Sequence, residues 1–335
     1  MLLVVIVNYK TPGLTADCLK SLQSEIDDTS VGPIHVVVAD NKSPDDSLQH
    51  LRKTIDEQGF GHWCSLLPLP SNGGFAYGNN APIRTALASA QPPEFVLLLN
   101  PDTIIRPGAI SELVRYMREH SDVGIAGSRL EDPDSTPASP AQVSAFRFHT
   151  AVNEFSSALR LGPISKLLSR HEVGLIPGDA VAACDWVAGA SMIIRKSVFD
   201  KIGLLDEGYF MYFEEVDFCL RAARAGFACR YVPASRVVHL VGQASGVTDK
   251  SKANKRRPAY WFQSRRRYFI KNFGRGYAIL ADLAFVVGFV PWRIRRIIQR
   301  KPDTDPAHML FDSVKHSALF QNAGGEGVGG ERKTT

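Results

Sequence analysis

The sequence predicts a doubly wound α/β domain with a mostly parallel sheet and a helical C-terminal extension. Three observations carry that expectation. Short apolar runs, LLVVIV (residues 2–7), IHVVVA (residues 34–39, apolar but for His35) and FVLLL (residues 95–99), recur early in the chain, as strands buried on both faces do. Segments with helical apolar spacing alternate with them. Each run also ends in polar residues, at Asn8-Tyr9, Asp40-Asn41 and Asn100-Pro101-Asp102. In open α/β sheets ligands bind beyond the carboxyl ends of the strands, so one sheet edge gathers carboxylates and amides.

Each element has its own local reason. Thr11-Pro12 marks a helix start, with Thr as N-cap and Pro at the first position, and Leu14, Cys18 and Leu22 follow at four-residue spacing. After the second strand, Ser43 is placed to cap a helix with Pro44 at its first position and two acids in its first turn. The third strand stops at Asn100-Pro101-Asp102. A helix is expected from about Pro107 to His120, on Ile110, Leu113, Val114 and Met117, and a strand at residues 123–126. Residues 131–145, rich in Pro, Ser, Ala and Asp, read as a mobile loop. Residues 150–169 are weakly helical and broken at Gly162-Pro163. Beyond about Ala323 the Gly-rich, polar end reads as disordered.

The 335 residues, 44% hydrophobic and 22% charged, suit one large domain with additions, or two domains. Five cysteines without a CxxC pair fit a reduced, cytosolic compartment better than a disulfide framework or a zinc cluster. MLLVVIVNYK lacks a basic leader region and a small-residue cleavage site, so it reads as a strand rather than a signal peptide. The net charge of +5 is uneven: residues 250–301 hold 15 Lys/Arg against Asp282, which leaves the rest of the chain at −9. A mildly acidic body with a basic C-terminal segment points that segment at an anionic surface.

Four motifs bear on chemistry. SNGGFAYGNNAPI (residues 71–83) reads as a loop whose Gly73-Gly74 allows close approach to a ligand and whose N–H groups can cradle phosphate. It is neither G-x-G-x-x-G nor a P-loop. GYFMYFEEVDFCLRAARAGF (residues 208–227) opens a helix with Glu214, Glu215 and Asp217 directly after an aromatic run and ends it at Gly226. Acids in a first turn are common and Asp217 with Arg221 can be a plain i,i+4 pair, yet a carboxylate beside an aromatic-lined cleft can serve as a general base. His239 closes another apolar run; a lone histidine is more often structural than a metal ligand. Finally, residues 277–292 are apolar but only 16 long, about 24 Å of helix, short of a bilayer's roughly 30 Å core. With Ile294, Ile297 and Ile298 on one face and arginines off it, the segment reads as a helix lying on a membrane, or as one packed on the domain with a solvated basic face.

Together these residues resemble glycosyltransferase family 2, the inverting nucleotide-sugar transferases of the GT-A fold, and within it the rhamnosyltransferase-like branch. The segments that carry the resemblance are VVIVNYKT, VVVADNKSPD, NGGFAYGNN, LLLNPDT, WVAGASMIIRKSVFDKIGLLDEGYFMYFEEVDFCLRAARAGF and VVHLVGQASG, in family order over roughly residues 1–245. The resemblance implies a GT-A domain over residues 1–245, with an insertion at 131–182 near the acceptor side. A basic, aromatic-rich helical segment follows at 246–301, then a tail at 302–335.

The roles it implies map residue by residue. Asn8, Tyr9, Asp40 and Asn41 would hold the nucleotide base and ribose. Asn72, Gly73, Gly74 and Asn79 would lie near the nucleotide and diphosphate, with Asn100. Asp102 matches the last position of the family's Asp-x-Asp metal motif and would bind Mg²⁺ or Mn²⁺, with His239 as a second ligand; Asn100 departs from Asp at the first position. The catalytic base is Glu215, with Asp217 and Glu214 as alternatives. Trp186, Gly189 and Ala190 would border the acceptor, the indole stacking on a sugar. The implied donor is a dTDP- or UDP-sugar, the acceptor a lipid-linked saccharide or glycan, and the location the cytoplasmic face of an anionic membrane, without nucleic acid. Two rivals share the fold: transfer to a soluble sugar or protein, and an inactive nucleotide-sugar-binding scaffold. A basic tail that binds nucleic acid is a third class.

Overall fold

The computed structural model describes residues 1–28, 30–136, 139–175, 178–240 and 255–322. The Gly-rich end expected to be disordered lies outside them, as do Val241–Gly246 of the VVHLVGQASG motif and the start of the basic segment. The chain forms two compact units.

The first unit comprises Met1–Phe148, Val173–Asp206 and Glu215–Asp249. Its elements run β1 (Leu2–Asn8), α1 (Pro12–Ile26), β2 (Ile34–Asp40), α2 (Ser47–Glu57), β3 (Cys64–Pro68), α3 (Gly74–Leu87), β4 (Phe95–Leu99), β5 (Thr103–Ile105), α4 (Ala109–Glu119), β6 (Val123–Glu131) and β7 (Ala145–Phe146). After an excursion into the second unit, through α5 (Ala151–Leu159) and α6 (Gly162–Leu167), come β8 (Gly174–Leu175), β9 (Ala182–Cys184), β10 (Trp186–Val187), β11 (Ser191–Arg195), α7 (Lys196–Ile202), α8 (Glu214–Arg224) and β12 (Ala228–His239). The central sheet has the order β3-β2-β1-β4-β11-β6-β12-β5, with β9 on β12, and a small sheet has the order β10-β7-β8.

The half from β3 to β4 is parallel, and the apolar runs of β1 and β4 are buried along nearly their whole length, as the sequence anticipates. Beyond β4 the sheet is mixed, because β11 enters antiparallel between β4 and β6 and β5 pairs antiparallel with β12. One core of β1, β2, β4 and β6 side chains packs on α1, α2 and α4. Helix α4 starts close to expectation, and its N-terminus is capped from another element: Glu25, buried on α1, accepts the N–H groups of Gly108 at 2.6 Å and Ile110 at 2.9 Å.

Two local expectations are corrected. Pro12 does begin α1, but α2 starts at Ser47, not at Ser43-Pro44. The NGGFAYGNN segment is loop only up to Gly73; from Gly74 it is α3. Gly and Asn are weak helix formers, and packing overrides them here. A Cβ at Gly78 would stand 2.7 Å from Val7 Cγ1, so glycine lets α3 lie close on β1. The Asn80 amide is held in both directions by the Leu205 backbone, at 2.8 and 3.2 Å.

The second unit comprises His149–Glu172, Glu207–Glu214 and Lys250–Thr335. It contains α5, α6, α9 (Ala259–Ile298) and α10 (Met309–Lys315). Gly162-Pro163 starts α6 rather than merely breaking a helix. Helix α9 is interrupted at Gly274, where φ is +84°, and its second limb, residues 275–298, packs on α5 around Ala158, Phe289 and Trp292. Arg265 ties the unit together through Glu154 at 3.0 Å and through Asp282. The aromatic run before α8 is core here: Tyr209 is buried and Phe213 packs on Tyr268 at 5.6 Å.

Candidate functional site

The polar ends of β1 and β2 form one hydrogen-bonded group. Asn8 and Asp40 stand in parallel register, and Asn8 Nδ2 donates to Asp40 Oδ1 at 2.7 Å. The same carboxylate accepts the Ser43 hydroxyl on Oδ1 at 2.7 Å and the Ser43 N–H on Oδ2 at 2.9 Å. Asn8 Oδ1 accepts the hydroxyls of Thr11 at 3.2 Å and Thr15 at 3.0 Å. Asn8 and Asp40 are fully buried. Three of a carboxylate's roughly four acceptor positions are thus filled, so Asp40 first holds the strand ends in one geometry. Ser43, expected to cap a helix, supplies two of those bonds. An Asp followed three residues later by Ser is the readable trace of such a turn. Beside them Tyr9 is 40% exposed.

Asn41 links this group to α3. It is buried, and its Nδ2 donates to the Gly74 carbonyl at 3.0 Å. Asn72 Oδ1 accepts the Gly74 N–H at 3.1 Å, and Gly74 takes φ +86°, a left-handed conformation that suits glycine. The α3 N-terminus, which carries the helix's partial positive charge, therefore opens beside Asn41. Asn79 is buried and its Nδ2 donates to the Phe75 carbonyl at 2.9 Å, which makes it a helix residue here.

Asp102 sits in the turn between β4 and β5. Leu240 N donates to the Asp102 carbonyl at 2.9 Å, and His239 stands opposite Thr103 in the β12–β5 ladder. That register brings His239 Nε2 to 3.5 Å from Asp102 Oδ1. Neighbouring ligands of an octahedral ion, each about 2.1 Å from the metal, stand roughly 3 Å apart, so this pair fits two positions of a divalent cation. Among the described residues no cluster of three or more His, Cys, Asp or Glu side chains forms a complete cage. Asn100 donates its N–H to the Ala190 carbonyl at 3.0 Å, which seats Gly189 and Ala190 against the end of β4.

The acids of α8 separate into distinct environments. Burial pushes the Glu215 carboxyl up to about 7, against the lowering effect of the Glu215 and Val216 backbone N–H groups that it accepts. Asp217 is buried and paired with Arg221, whose guanidinium also binds the carbonyls of Ile202 at 2.7 Å and Leu204 at 2.9 Å. That engagement argues against Asp217 as the alternative base. Glu214 is buried.

Trp186 is placed differently from expectation. It is only 8% exposed, its ring stacks on Phe146 at 4.0 Å, and its Nε1–H donates to the Arg147 carbonyl at 2.9 Å. One ring face is therefore covered, and the indole serves as packing between β10 and β7 rather than as an open platform.

With that geometry in place, the comparisons with known proteins agree on one direction. The sequence model of the family described as "Glycosyltransferase like family 2" matches residues 2–267. An N-acetylglucosaminyl-diphospho-decaprenol L-rhamnosyltransferase of Mycobacterium tuberculosis is 28% identical, covering 64% of this chain and 69% of that protein. The rhamnosyltransferase WbbL of Escherichia coli is 28% identical over 71% of this chain and 83% of its own length. The low-salt glycan biosynthesis hexosyltransferase Agl10 of Haloferax volcanii is 30% identical over 66% and 61%. Among solved structures, the mannosyltransferase PcManGT of Pyrobaculum calidifontis, in complex with GDP-Man and Mn²⁺, superposes with TM-score 0.56 at 14% identity, covering 96% of this chain and 81% of that one. GalNAc-T7 with UDP, GalNAc and Mn²⁺ superposes with TM-score 0.55 at 14% identity, covering 94% and 54%. At such identities the likeness shows the GT-A fold.

Proposed function

As a member of the glycosyltransferase-like family 2 the chain is a glycosyltransferase, and we propose that it moves a hexose, rhamnose foremost, from a dTDP- or UDP-sugar to a lipid-linked saccharide or glycan at the cytoplasmic face of the cell membrane, with inversion at the anomeric carbon. The observation that carries this reading is the Asp102–His239 pair, 3.5 Å apart at the end of the sheet. The relatives' names support the sugar and the acceptor: one is an N-acetylglucosaminyl-diphospho-decaprenol L-rhamnosyltransferase and another a dTDP-rhamnosyl transferase.

In this reading Tyr9 lies against the nucleotide base, and Asn8, Asp40 and Asn41 shape the floor beneath base and ribose. The α3 N-terminus after Asn72-Gly73-Gly74 faces the diphosphate, an anion-binding arrangement, with Asn100 nearby. Asp102 and His239 would hold Mg²⁺ or Mn²⁺, and two of the structural neighbours were solved with Mn²⁺. An ion held there would supply positive charge against the diphosphate leaving group. Glu215 takes the proton of the acceptor hydroxyl as that oxygen attacks C1 in line. One displacement inverts the configuration, and positioning supplies much of the rate. Gly189 and Ala190 border the acceptor.

The test is a transfer assay on the purified chain with dTDP-rhamnose and UDP-sugars, a polyprenyl-diphosphate-linked acceptor, and product configuration read by NMR. Inverted product whose formation is lost in Asp102→Ala and Glu215→Gln supports the reading. Full activity in either folded variant sinks the site assignment.

A further inference from the structure

Helix α9 is the one helix among the described residues long and apolar enough to cross a membrane, with a mean hydropathy of 1.6 over an 18-residue window. Its second limb, residues 275–298, is about 36 Å long, so the 16-residue estimate from the sequence is too short. Length would permit a span. The side chains argue otherwise, because the limb has two unlike faces.

One face is committed to protein. Ala278, Ala281, Phe289 and Trp292 are buried, and a Cβ at Gly288 would stand 2.6 Å from the Phe155 carbonyl of α5. That face is also polar in its bonding. Asp282 pairs with Arg265 and accepts the Ala318 N–H at 2.8 Å, Trp292 donates to Asp305 at 3.0 Å, and Arg295 donates to the Leu159 carbonyl at 2.9 Å. A helix fastened this way to ion pairs and loops cannot be ringed by lipid.

The opposite face is bare hydrocarbon. Leu280, Leu283, Val287, Val290, Ile294 and Ile297 alternate three and four residues apart and are between 37% and 66% exposed. The positions flanking this row are Ile279, Ala284, Val286, Pro291, Arg293 and Ile298, so the apolar arc is wide and nearly free of charge. A partner helix is normally selected by charges on both flanks of a narrower seam, and these are missing. A wide apolar arc ending in cations suits a lipid surface. Arg300 and Lys301, just past the helix, are exposed and have no acidic partner among the described residues.

We propose that the second limb of α9 is a monotopic docking helix. It lies in the membrane interface on the Leu280–Ile297 face, with Arg300 and Lys301 against anionic headgroups, and it does not cross the bilayer. This rests on the membrane-surface reading above and names the surface that does the work.

The test uses the full chain and vesicles of phosphatidylcholine, with and without one quarter phosphatidylglycerol, and needs neither donor nor acceptor. Its failure would therefore leave transfer to a soluble acceptor standing, and failed transfer would leave docking standing. Flotation is expected with the anionic vesicles, at least tenfold weaker in Leu283→Glu/Val287→Glu at an unchanged melting temperature. Ile294→Ser/Ile297→Ser, a milder change, should weaken it in the same direction. In cells, alkaline carbonate should release the protein without detergent. Absent flotation, or undiminished flotation of both variants, overturns the proposal. Retention after carbonate would show a span instead. A dimer in vesicle-free solution that Leu283→Glu/Val287→Glu abolishes would show that a second copy covers the face.

Discussion

Asp217 and Arg221 form an ion pair one turn apart on α8, with Nε 2.9 Å from Oδ2 and the carboxylate fully buried. Two residues earlier, Glu215 is raised to about 7 by burial, with no cation paired to it among the described residues. One short helix thus carries an acid spent on structure and an acid kept near neutrality. Asp217→Asn is expected to cost roughly 3–5 kcal/mol, because Arg221 keeps its charge in a mostly buried position, while folded protein retains most of its kcat. Glu215→Gln should lower kcat at least 100-fold, the usual weight of a general base, without loss of stability. Thermal melts beside steady-state kinetics separate the two.

The pH dependence follows from the same contrast. A base acts only when deprotonated, so kcat/KM should rise with pH through about 7, the raised value of Glu215, and level off above it. The stability trend has the opposite sign. The folded chain holds this proton more tightly than the unfolded chain, so stability falls as pH climbs from the ordinary carboxyl range through about 7. Glu215→Gln should flatten both curves and stabilise the protein by roughly 1–3 kcal/mol at pH 8. A pH–rate profile beside a pH series of melts checks this.

Removing the ion or its ligands should stop transfer. Chelation is expected to abolish activity and Mn²⁺ to restore it. Asp102→Asn should weaken Mn²⁺ binding, measured by calorimetry with a nucleoside diphosphate present, by 100-fold or more. His239→Asn should weaken it by about 10- to 100-fold, the usual cost of an impaired metal shell. Unchanged Mn²⁺ affinity in both variants would remove the pair from the site.

In the second unit, Gly288→Ala is a sharp test of packing. The new methyl would meet the Phe155 backbone carbonyl at 2.6 Å, and a carbonyl held within α5 cannot turn aside as a side-chain tip can. Overpacking of this kind costs about 1–3 kcal/mol, which a melting curve will show.

Acid should act on that unit as well. Burial alone would raise Glu154, but Arg265 and His149 overcome it and hold the carboxyl near 2. A lowered folded value stabilises at pH above the ordinary carboxyl range, and that stability is lost as pH falls toward 2. The loss is worth up to about 3 kcal/mol and should disappear in Glu154→Gln. Denaturation followed between pH 5 and 2.5 provides the check.

Much of the parallel half-sheet was legible in the sequence. The runs at residues 2–7, 34–39 and 95–99 are β-branched or leucine-rich and broken only at His35, so little competed with the strand reading. Their polar ends were legible too, because Asn8, Asp40 and Asp102 interrupt those runs abruptly. What escaped was decided by distant partners. Ser43 looks like a helix cap from its neighbours alone, yet Asp40 claims it. NGGFAYGNN looks like a loop from its composition, yet Val7 and Leu205 hold it as helix. Trp186 looks like a sugar platform, and Phe146, 40 residues earlier, covers one of its faces.

By itself, the sequence determined the alternation of strands and helices, the family, and the residue types at the strand ends. Each of these depends on local pattern or on ordered motifs. Only the tertiary structure decided which acids are already spent. Asp217 is bound to Arg221 and Asp40 to Asn8 and Ser43, while Glu215 pairs with no cation among the described residues. It alone showed that Asp102 meets His239, residues separated by more than a hundred positions that the β12–β5 register brings to 3.5 Å. Hydrophobic periodicity is written along the chain, but the partner and the proton affinity of a carboxylate depend on what folding places around it.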